Sequence, residues 1–470
     1  MNLISLGCPK NLVDSEIILG KVGAEGLEVT ASAEDADVIV INTCSFIESA
    51  KEESIQTILE ACELKNRSGS PRKVVVTGCL AQRYGTELRK EVPEVDAIIG
   101  LGEYDDIGTA LRALTATGQK KKVFRLGDPD KACNAEVGRF RLTPRHYAYV
   151  KISEGCDNPC TFCSIPSFRG GFRSKPIPMI QEEVRELAAN GTKEIVIISQ
   201  DTTSYGIDLT GKLELPRLLE KIAEVDGIRW IRVLYVYPSF VTDEMIDSIA
   251  SIDKVVKYID IPLQHISDKM LRRMGRRSNE TKTRALLNRM RERISGLYLR
   301  TTFIVGFPGE DAEDFTRLRN FVEEFKFERL GVFTYSQEEG TPAATFSDQL
   351  PEKARKARLE EIMLLQQENA FRHNRSRKGE IAEALVDAVE TKAGKPPVVR
   401  ARTLGEAPEI DPTVFVQSRE ETSTLAPDMP PSFRELPLKG WRKEALKPGD
   451  FTKVRITSSL DYDLLAERMA

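Results

Sequence analysis

The sequence predicts an α/β protein in three parts: an N-terminal parallel-sheet α/β domain, a central incomplete (β/α)6 barrel and a small C-terminal all-β barrel. Three observations predict it. Short, near-continuous runs of Val and Ile alternate with helix-length stretches through the first part of the chain. The same alternation restarts at Pro144 and supplies six strand–helix repeats. After Gly379 the helical stretches give way to short apolar runs bounded by Gly and Pro. A chain of 470 residues is long for a single domain, so division is expected. The composition, 41% hydrophobic and 30% charged with a net charge of −4, is that of a soluble globular protein and points to no polyanionic partner.

In the first part, apolar runs end at Leu6, at Val38-Ile-Val-Ile41, at Val74-Val-Val-Thr77 and at Ala97-Ile-Ile99, with helices expected near 11–24, 48–65 and 82–90. Such runs, too apolar to face water on either side, indicate a parallel sheet covered on both faces, with right-handed crossovers. Ile55, Ile58, Leu59 and Cys62 fall at i, i+3, i+4 and i+7, a buried stripe that makes Cys62 a core residue. Residues 118–142, with Lys120-Lys-Lys122 and Gly127-Asp-Pro-Asp130, look like a solvated connector; Cys133 lies in it and receives no role.

Strands of the central part are expected at 146–152, 194–199, 230–236, 257–262, 299–305 and 330–335, with helices near 178–190, 213–225, 242–251, 280–294 and 312–325. In such a barrel the chemistry belongs to the loops after the strands. A long charged helix opens at Pro351 and runs to 378, with Leu359, Ile362, Met363, Gln366 and Ala370 on one side, suited to docking on the barrel. The last part shows strands at Ile381–Val386, Val398–Ala401, Val414–Val416 and Phe451–Ile456, interrupted by a Pro- and charge-rich insertion at 418–448. The N-terminus lacks the form of a signal peptide, and no apolar run approaches the roughly 20 residues of a membrane helix, so a cytoplasmic protein without membrane contact is expected.

The chemistry is carried by cysteine. A large chain expected in a reducing compartment does not use eight cysteines for disulfides. Cys156, Cys160 and Cys163 stand at C-x-x-x-C-x-x-C spacing just after the first barrel strand. Three thiolates can hold a four-iron cluster and leave one iron open to a ligand. A zinc site would want a fourth Cys or His, and of the nearest candidates, Cys133 and His146, neither has pair spacing. Cys8, Cys44 and Cys79 each follow a strand of the first sheet, at the carboxyl edge where ligands bind in open parallel sheets, and they read as a second three-thiolate site. Ser199, Gln200, Asp201 and Gln264 follow barrel strands, and Gly306 opens the turn Gly306-Phe-Pro-Gly309-Glu310; these are the candidate cofactor contacts. His265 reads equally as a ligand contact or as a hydrogen-bonded structural histidine. No catalytic residue is assigned beyond the cluster ligands.

With these residues in view, the chain resembles the methylthiotransferases of the radical S-adenosylmethionine superfamily over nearly its whole length. The resemblance rests on Gly7-Cys-Pro-Lys-Asn-Leu-Val-Asp-Ser-Glu16, Asn42-Thr-Cys44, Thr77-Gly-Cys79, Glu154 to Gly170, and Phe303 to Glu310. It implies a methylthiotransferase domain over 1–125, a radical S-adenosylmethionine domain over 140–375 and a TRAM-like domain over 376–470. Cys8-Pro-Lys-Asn-Leu-Val-Asp14, Cys163-Ser-Ile-Pro166, Tyr235-Val-Tyr-Pro238 and Ile259 to His265 are similar to the ribosomal-protein branch. Enzymes of that branch add a methylthio group to the β-carbon of an aspartate in small-subunit ribosomal protein S-twelve; the alternative is the tRNA adenosine branch. Residues 376–470 hold 15 Lys/Arg against 16 Asp/Glu, a balance that suits a basic protein partner better than RNA.

The resemblance implies two 4Fe–4S clusters, each held by three cysteines, and S-adenosylmethionine as radical source and methyl donor. At the Cys156/Cys160/Cys163 cluster, reductive cleavage would give methionine and a 5′-deoxyadenosyl radical. The Cys8/Cys44/Cys79 cluster would hold the transferred sulfur. Both clusters must then face one cavity, with the sheet edge over the barrel mouth. Expected partners are S-twelve as substrate and a reducing electron donor such as flavodoxin or ferredoxin, with ribosomal RNA as a further candidate contact. Where many superfamily members carry Gly-Gly-Glu, Ser199-Gln-Asp201 stands here.

Overall fold

A computed structural model describes residues 1–67, 73–116, 122–131, 138–391, 397–417 and 445–469. Cys133 and positions 418–444 of the expected insertion lie outside the described residues.

The first sheet has five parallel strands in sequential order: β1 (Asn2–Ser5), β2 (Val38–Thr43), β3 (Lys73–Gly78), β4 (Ala97–Ile99) and β5 (Val123–Arg125). Every residue of β2 and β4 is buried, which explains their lack of polar alternation. β5 corrects the reading of 118–142 as connector throughout: three residues pair with β4 at the sheet edge, too short and too exposed to leave a hydrophobic pattern. Helices α1 (Pro9–Ala24) and α4 (Ile107–Thr115) cover one face, packing Ile18, Val22, Ile107 and Leu111 on Val38, Val40 and Val75. Helices α2 (Glu48–Arg67) and α3 (Cys79–Glu91) cover the other, on Ile39, Ile41, Val74 and Val76. Because neighbouring strands are sequential while α1 and α2 lie on opposite faces, the crossovers cannot all be right-handed, contrary to expectation. The stripe on α2 is also narrower than expected. Ile58 and Cys62 are buried, but Ile55 and Leu59 are exposed, and Ser54 and Ala61 take the inward positions.

The second sheet holds six parallel strands: β6 (Tyr147–Lys151), β9 (Glu194–Ile198), β10 (Trp230–Val233), β11 (Val255–Asp260), β12 (Tyr298–Val305) and β13 (Arg329–Thr334), in the order β13-β12-β11-β10-β9-β6. The sheet is open between β6 and β13, as an incomplete barrel requires. Its outer face packs on the crossover helices through a single large apolar cluster. Between β6 and β9 a small hairpin, β7 (Ser153–Glu154) with β8 (Arg173–Ser174), brackets the cysteine loop. The helix Glu352–Ser376 buries Ile362, Gln366 and Ala370 against the barrel, as the sequence pattern expects, and adds Asn369 and Asn374.

The last unit is a closed five-stranded barrel, β14-β15-β16-β18-β17, of β14 (Ile381–Glu390), β15 (Val398–Arg402), β16 (Val414–Gln417), β17 (Phe451–Leu460) and β18 (Asp463–Arg468). Ala384, Val386, Val399, Ala401, Val454 and Ile456 form its core. Val13 of α1, barrel residues Tyr149, Val196, Trp230 and Tyr258, and Leu385 and Ala407 of the last unit share a further cluster, so all three parts meet inside the open barrel. Among the described residues, no helix is long and apolar enough to cross a membrane.

Candidate active site at the junction of sheet and barrel

The carboxyl edge of the first sheet is built to bring three cysteines together. Cys8 is the extended residue before α1; Pro9 starts the helix, and the Cys8 side chain caps nothing. Cys44 follows β2, and Cys79 is the first residue of α3. Two glycines with positive φ permit the approach: a Cβ on Gly7 (φ 90°) would lie 2.7 Å from the Cβ of Cys44, and one on Gly78 (φ 91°) would lie 2.5 Å from the carbonyl oxygen of Thr43. Asn11 ties the strand ends, its Nδ2 donating to the carbonyls of Leu6 (3.1 Å) and Thr43 (2.9 Å). Asn42 returns a bond of 2.8 Å to the carbonyl of Asn11. The three thiols are close enough to act on one another electrostatically. Burial pushes the Cys79 thiol up to about 12 and raises that of Cys44.

The second trio sits on the β7–β8 hairpin. Gly155 is required there, since a Cβ would stand 1.9 Å from the carbonyl oxygen of Gly171. The loop is held open by outside contacts. Thr161 N donates to the carbonyl of Met274 (3.0 Å), and Ala343 N donates to that of Thr161 (2.9 Å). Asn158 Nδ2 reaches Cys156 Sγ at 3.4 Å, and Arg276 Nη1 reaches Cys160 Sγ at 3.6 Å. Burial pushes Cys156 up to about 11 and Cys163 up to about 12. All six cysteines are free thiols. Among the described residues no group of three or more His, Cys, Asp or Glu side chains meets around a single metal ion. A four-iron cluster takes its thiolates on separate irons, so it asks three sulfurs to ring a shared space instead of meeting at a point.

Between the trios lies a buried charge network. Arg169 closes the short helix α5 (Ile165–Arg169) that follows Cys163. Its Nη2 donates to Asn11 Oδ1 (2.6 Å), Asp14 Oδ2 (2.8 Å) and Cys79 Sγ (3.3 Å), and its Nη1 to Glu154 Oε2 (3.1 Å). Lys151, at the end of β6, bonds Asp14 at 2.6 Å and also Glu154. Burial opposes charge on Glu154, but Lys151 and Arg169 outweigh it and hold the carboxyl down to about 2. Arg83 of α3 bonds Glu338 beyond β13 at 3.0 Å, so the sheet edge is fastened over the barrel mouth from both sides. Tyr235, after β10, holds φ at 63° and places its ring 3.0 Å from the Lys10 ammonium, which burial pulls down to about 8.

The other candidate contacts fall around this mouth. Gln200 and Gln264 each keep a buried Oε1 without a hydrogen-bond partner, and Gln264 sits at φ 71°, sparsely used by side-chain residues. Asp201 is occupied by the protein itself, accepting from Asn158 Nδ2 (2.8 Å), Thr203 Oγ1 (2.6 Å) and Ser204 Oγ (2.7 Å). Ser199 Oγ is 2.5 Å from Ser153 Oγ. At Gly306 (φ 69°) a Cβ would lie 2.2 Å from Arg355 Cγ, and the Gly306 N–H donates to Glu310. His265 accepts at Nδ1 from Ser267 N (3.0 Å) at the start of the helix Asp268–Arg273, and its buried Nε2 has no hydrogen-bond partner. His146 is bonded to Asp387 of β14 at 2.8 Å, away from any thiol trio. Sequence reasoning missed Lys10, Asn11, Asp14, Glu154 and Arg169. All lie within the motifs that carried the resemblance, but only their convergence gives them a role.

This fold and site define a radical S-adenosylmethionine protein with a TRAM barrel. Family models agree: Uncharacterized protein family UPF0004 matches residues 1–100, the Radical SAM superfamily residues 150–322 and the TRAM domain residues 379–469. Among solved structures, TsrM from Kitasatospora setae, a radical S-adenosylmethionine methyltransferase with cobalamin and a [4Fe–4S] cluster bound, superposes with a TM-score of 0.55. It is 15% identical and covers 73% of this chain and 76% of its own, a likeness of fold alone. Two curated relatives are far nearer in sequence. "Ribosomal protein uS12 methylthiotransferase RimO" of Geotalea uraniireducens is 44% identical, and that of Pelotomaculum thermopropionicum 45% identical. Each alignment covers 99% of this chain and 98% of the relative. The chain belongs to the ribosomal protein uS12 methylthiotransferase RimO family.

Proposed function

We propose that this chain is a radical S-adenosylmethionine methylthiotransferase that adds a methylthio group to the β-carbon of an aspartate in ribosomal protein uS12 (S-twelve). The observation that carries the reading is Arg169, at the end of the helix after Cys163, which bonds both Glu154 of the loop's hairpin and Cys79 Sγ of the sheet edge, in a chain whose near relatives are named for that substrate.

Cys156, Cys160 and Cys163 would hold one four-iron cluster, and Cys8, Cys44 and Cys79 a second. When bound, the clusters and S-adenosylmethionine supply hydrogen abstraction from an unactivated carbon and the sulfur and methyl that replace the hydrogen. The protein's part is to bind and orient. The unpaired Oε1 atoms of Gln200 and Gln264 suit the ammonium and hydroxyl groups of S-adenosylmethionine. Asn158 and Arg276 donate to the sulfurs of Cys156 and Cys160, and Arg169 to that of Cys79, which offsets the negative charge of thiolates. Ser199 and Asp201 hold the shape of the loop that carries Gln200. The electron enters from a reductant such as flavodoxin or ferredoxin, in keeping with cluster chemistry that needs a low-potential donor.

Reconstituted full-length protein incubated with reductant, S-adenosylmethionine and either uS12 or tRNA tests the reading. A methylthio mass gain on uS12 is expected; modified tRNA beside unmodified uS12 would overturn it. Iron analysis should find about eight irons per chain. A Cys8→Ala variant should fall to about four irons, still release 5′-deoxyadenosine and fail to transfer sulfur.

A further inference from the structure

Lys10 is an exception among the buried cations of the junction. Arg169 is bonded to Asp14 and Glu154, Lys151 to the same two carboxylates, and the half-buried Arg300 beside them to Asp260 at 2.8 Å. Lys10 is only 7% exposed, yet among the described residues no carboxylate lies within ion-pair distance of its ammonium and nothing hydrogen-bonds to it. Its ammonium lies 3.0 Å from the centre of the Tyr235 ring. That ring is held deliberately. Tyr235 N donates to Asp260 Oδ2 at 3.0 Å, its carbonyl accepts from Thr202 N at 3.1 Å, and its positive φ is a conformation a bulky residue keeps only under such restraint. Lys10 stands in the first turn of α1, two residues beyond Cys8, and Arg169 and Glu154 of the hairpin that carries the Cys156 loop lie on its other side.

An ammonium largely shielded from water, set on an aromatic face, keeps its attraction to anions and lacks one. We infer that Lys10 receives the side-chain carboxylate of the substrate aspartate and so sets the β-carbon beside the Cys8, Cys44 and Cys79 site. This rests on the function proposed above. The chemistry alone, a carboxylate, could also come from the methionine end of S-adenosylmethionine; the position of Lys10 on the Cys8 side favours the aspartate.

The test uses full-length, cluster-loaded protein, a synthetic uS12 peptide with the target aspartate, and the same peptide with asparagine there. Binding of both peptides and of S-adenosylmethionine is measured for the wild type, Lys10→Met and Lys10→Arg. Iron content and melting temperature confirm that each variant is folded, and Lys10→Arg keeps the test open if Lys10→Met is not. The wild type should prefer the aspartate peptide by about tenfold or more, the worth of a charged hydrogen bond. Lys10→Met should abolish that preference, and Lys10→Arg should retain a measurable part of it. A preference that survives in Lys10→Met overturns the inference. A fall in S-adenosylmethionine affinity with the peptide preference intact also overturns it and assigns Lys10 to the cofactor. A wild type with no aspartate preference overturns the aspartate reading of the whole site, and Lys10 with it.

Discussion

Gly7 shows how little separates a strand end from a ligand site. Its φ of 90° and the 2.7 Å that a Cβ would leave to Cys44 mean that no side chain fits without moving the first cysteine away from the second. Gly7→Ala should therefore lose the iron of one site and keep that of the other, falling from about eight to about four irons per chain while melting close to the wild type. His265 shows a different kind of constraint. Burial pulls its imidazole down to about 3, so the folded protein keeps it neutral while the unfolded chain protonates below 6.5. Between those values the unfolded state binds the extra proton, so His265 makes stability rise as pH increases from about 3 to 6.5 and adds no slope above. Urea midpoints measured across that range should show the slope, and His265→Gln should flatten it. The two readings of His265 divide between its ring nitrogens: Nδ1 accepts from the Ser267 amide at 3.0 Å, a structural use, while the buried Nε2 has no partner, an arrangement no sequence pattern records.

At the scale of elements, the central strands were legible, while the sheet edges and half of the α2 face were not. Strands such as Val38–Thr43 are buried on both sides, and their unbroken apolar runs announce it. Val123–Arg125 and Asp463–Arg468 are strands because a neighbour offers a hydrogen-bonding edge, and their residues alone carry no such signal. The hairpin of β7 and β8 belongs to the same class, two residues on each side, yet it aims the cysteine loop. Gly155 is its weak point: Gly155→Ala would place a Cβ 1.9 Å from the Gly171 carbonyl and force the hairpin apart. That variant should keep about four irons at the site proposed for Cys8, Cys44 and Cys79, lose those proposed for the loop, and release no 5′-deoxyadenosine.

On the scale of the whole molecule, the C-terminal unit is part of the central barrel's interior. The segment from Thr403 to Asp411 reaches into the barrel at the end opposite the cysteine loop. The hydroxyls of Tyr147 and Tyr258 donate to Glu409 (2.8 Å) and Asp411 (2.7 Å), and Glu406 receives Arg329 (3.1 Å) and Arg377 (2.8 Å). Burial opposes charge on Glu406, but the two arginines outweigh it and hold the carboxyl down to about 2. Glu406→Gln removes the counter-charge that Arg329 and Arg377 share but leaves Arg377 its Glu380 partner (2.8 Å) and Arg329 Asp411 at 3.9 Å, so it should cost about 1–3 kcal/mol, read by chemical denaturation as a lower midpoint. The near-neutral charge of this unit, first read only as a hint about partners, thus has an internal use: several of its acids and Arg402 are paired to the barrel.

The linear sequence was sufficient for what is local or repeats with a fixed period: the alternation that makes both parallel sheets, the spacing of Cys156, Cys160 and Cys163, and, through the shared place after three strands, the grouping of Cys8, Cys44 and Cys79. Tertiary structure alone decided what depends on distant partners. Arg169 meets Cys79 across 90 positions and Lys151 meets Asp14 across 137, while Lys10 is distinguished by the partner it lacks. A periodic pattern records which way a side chain faces, because burial of its own surface sets that. It does not record which charge waits on the other side, because that energy belongs to a pair and appears only when the chain has folded.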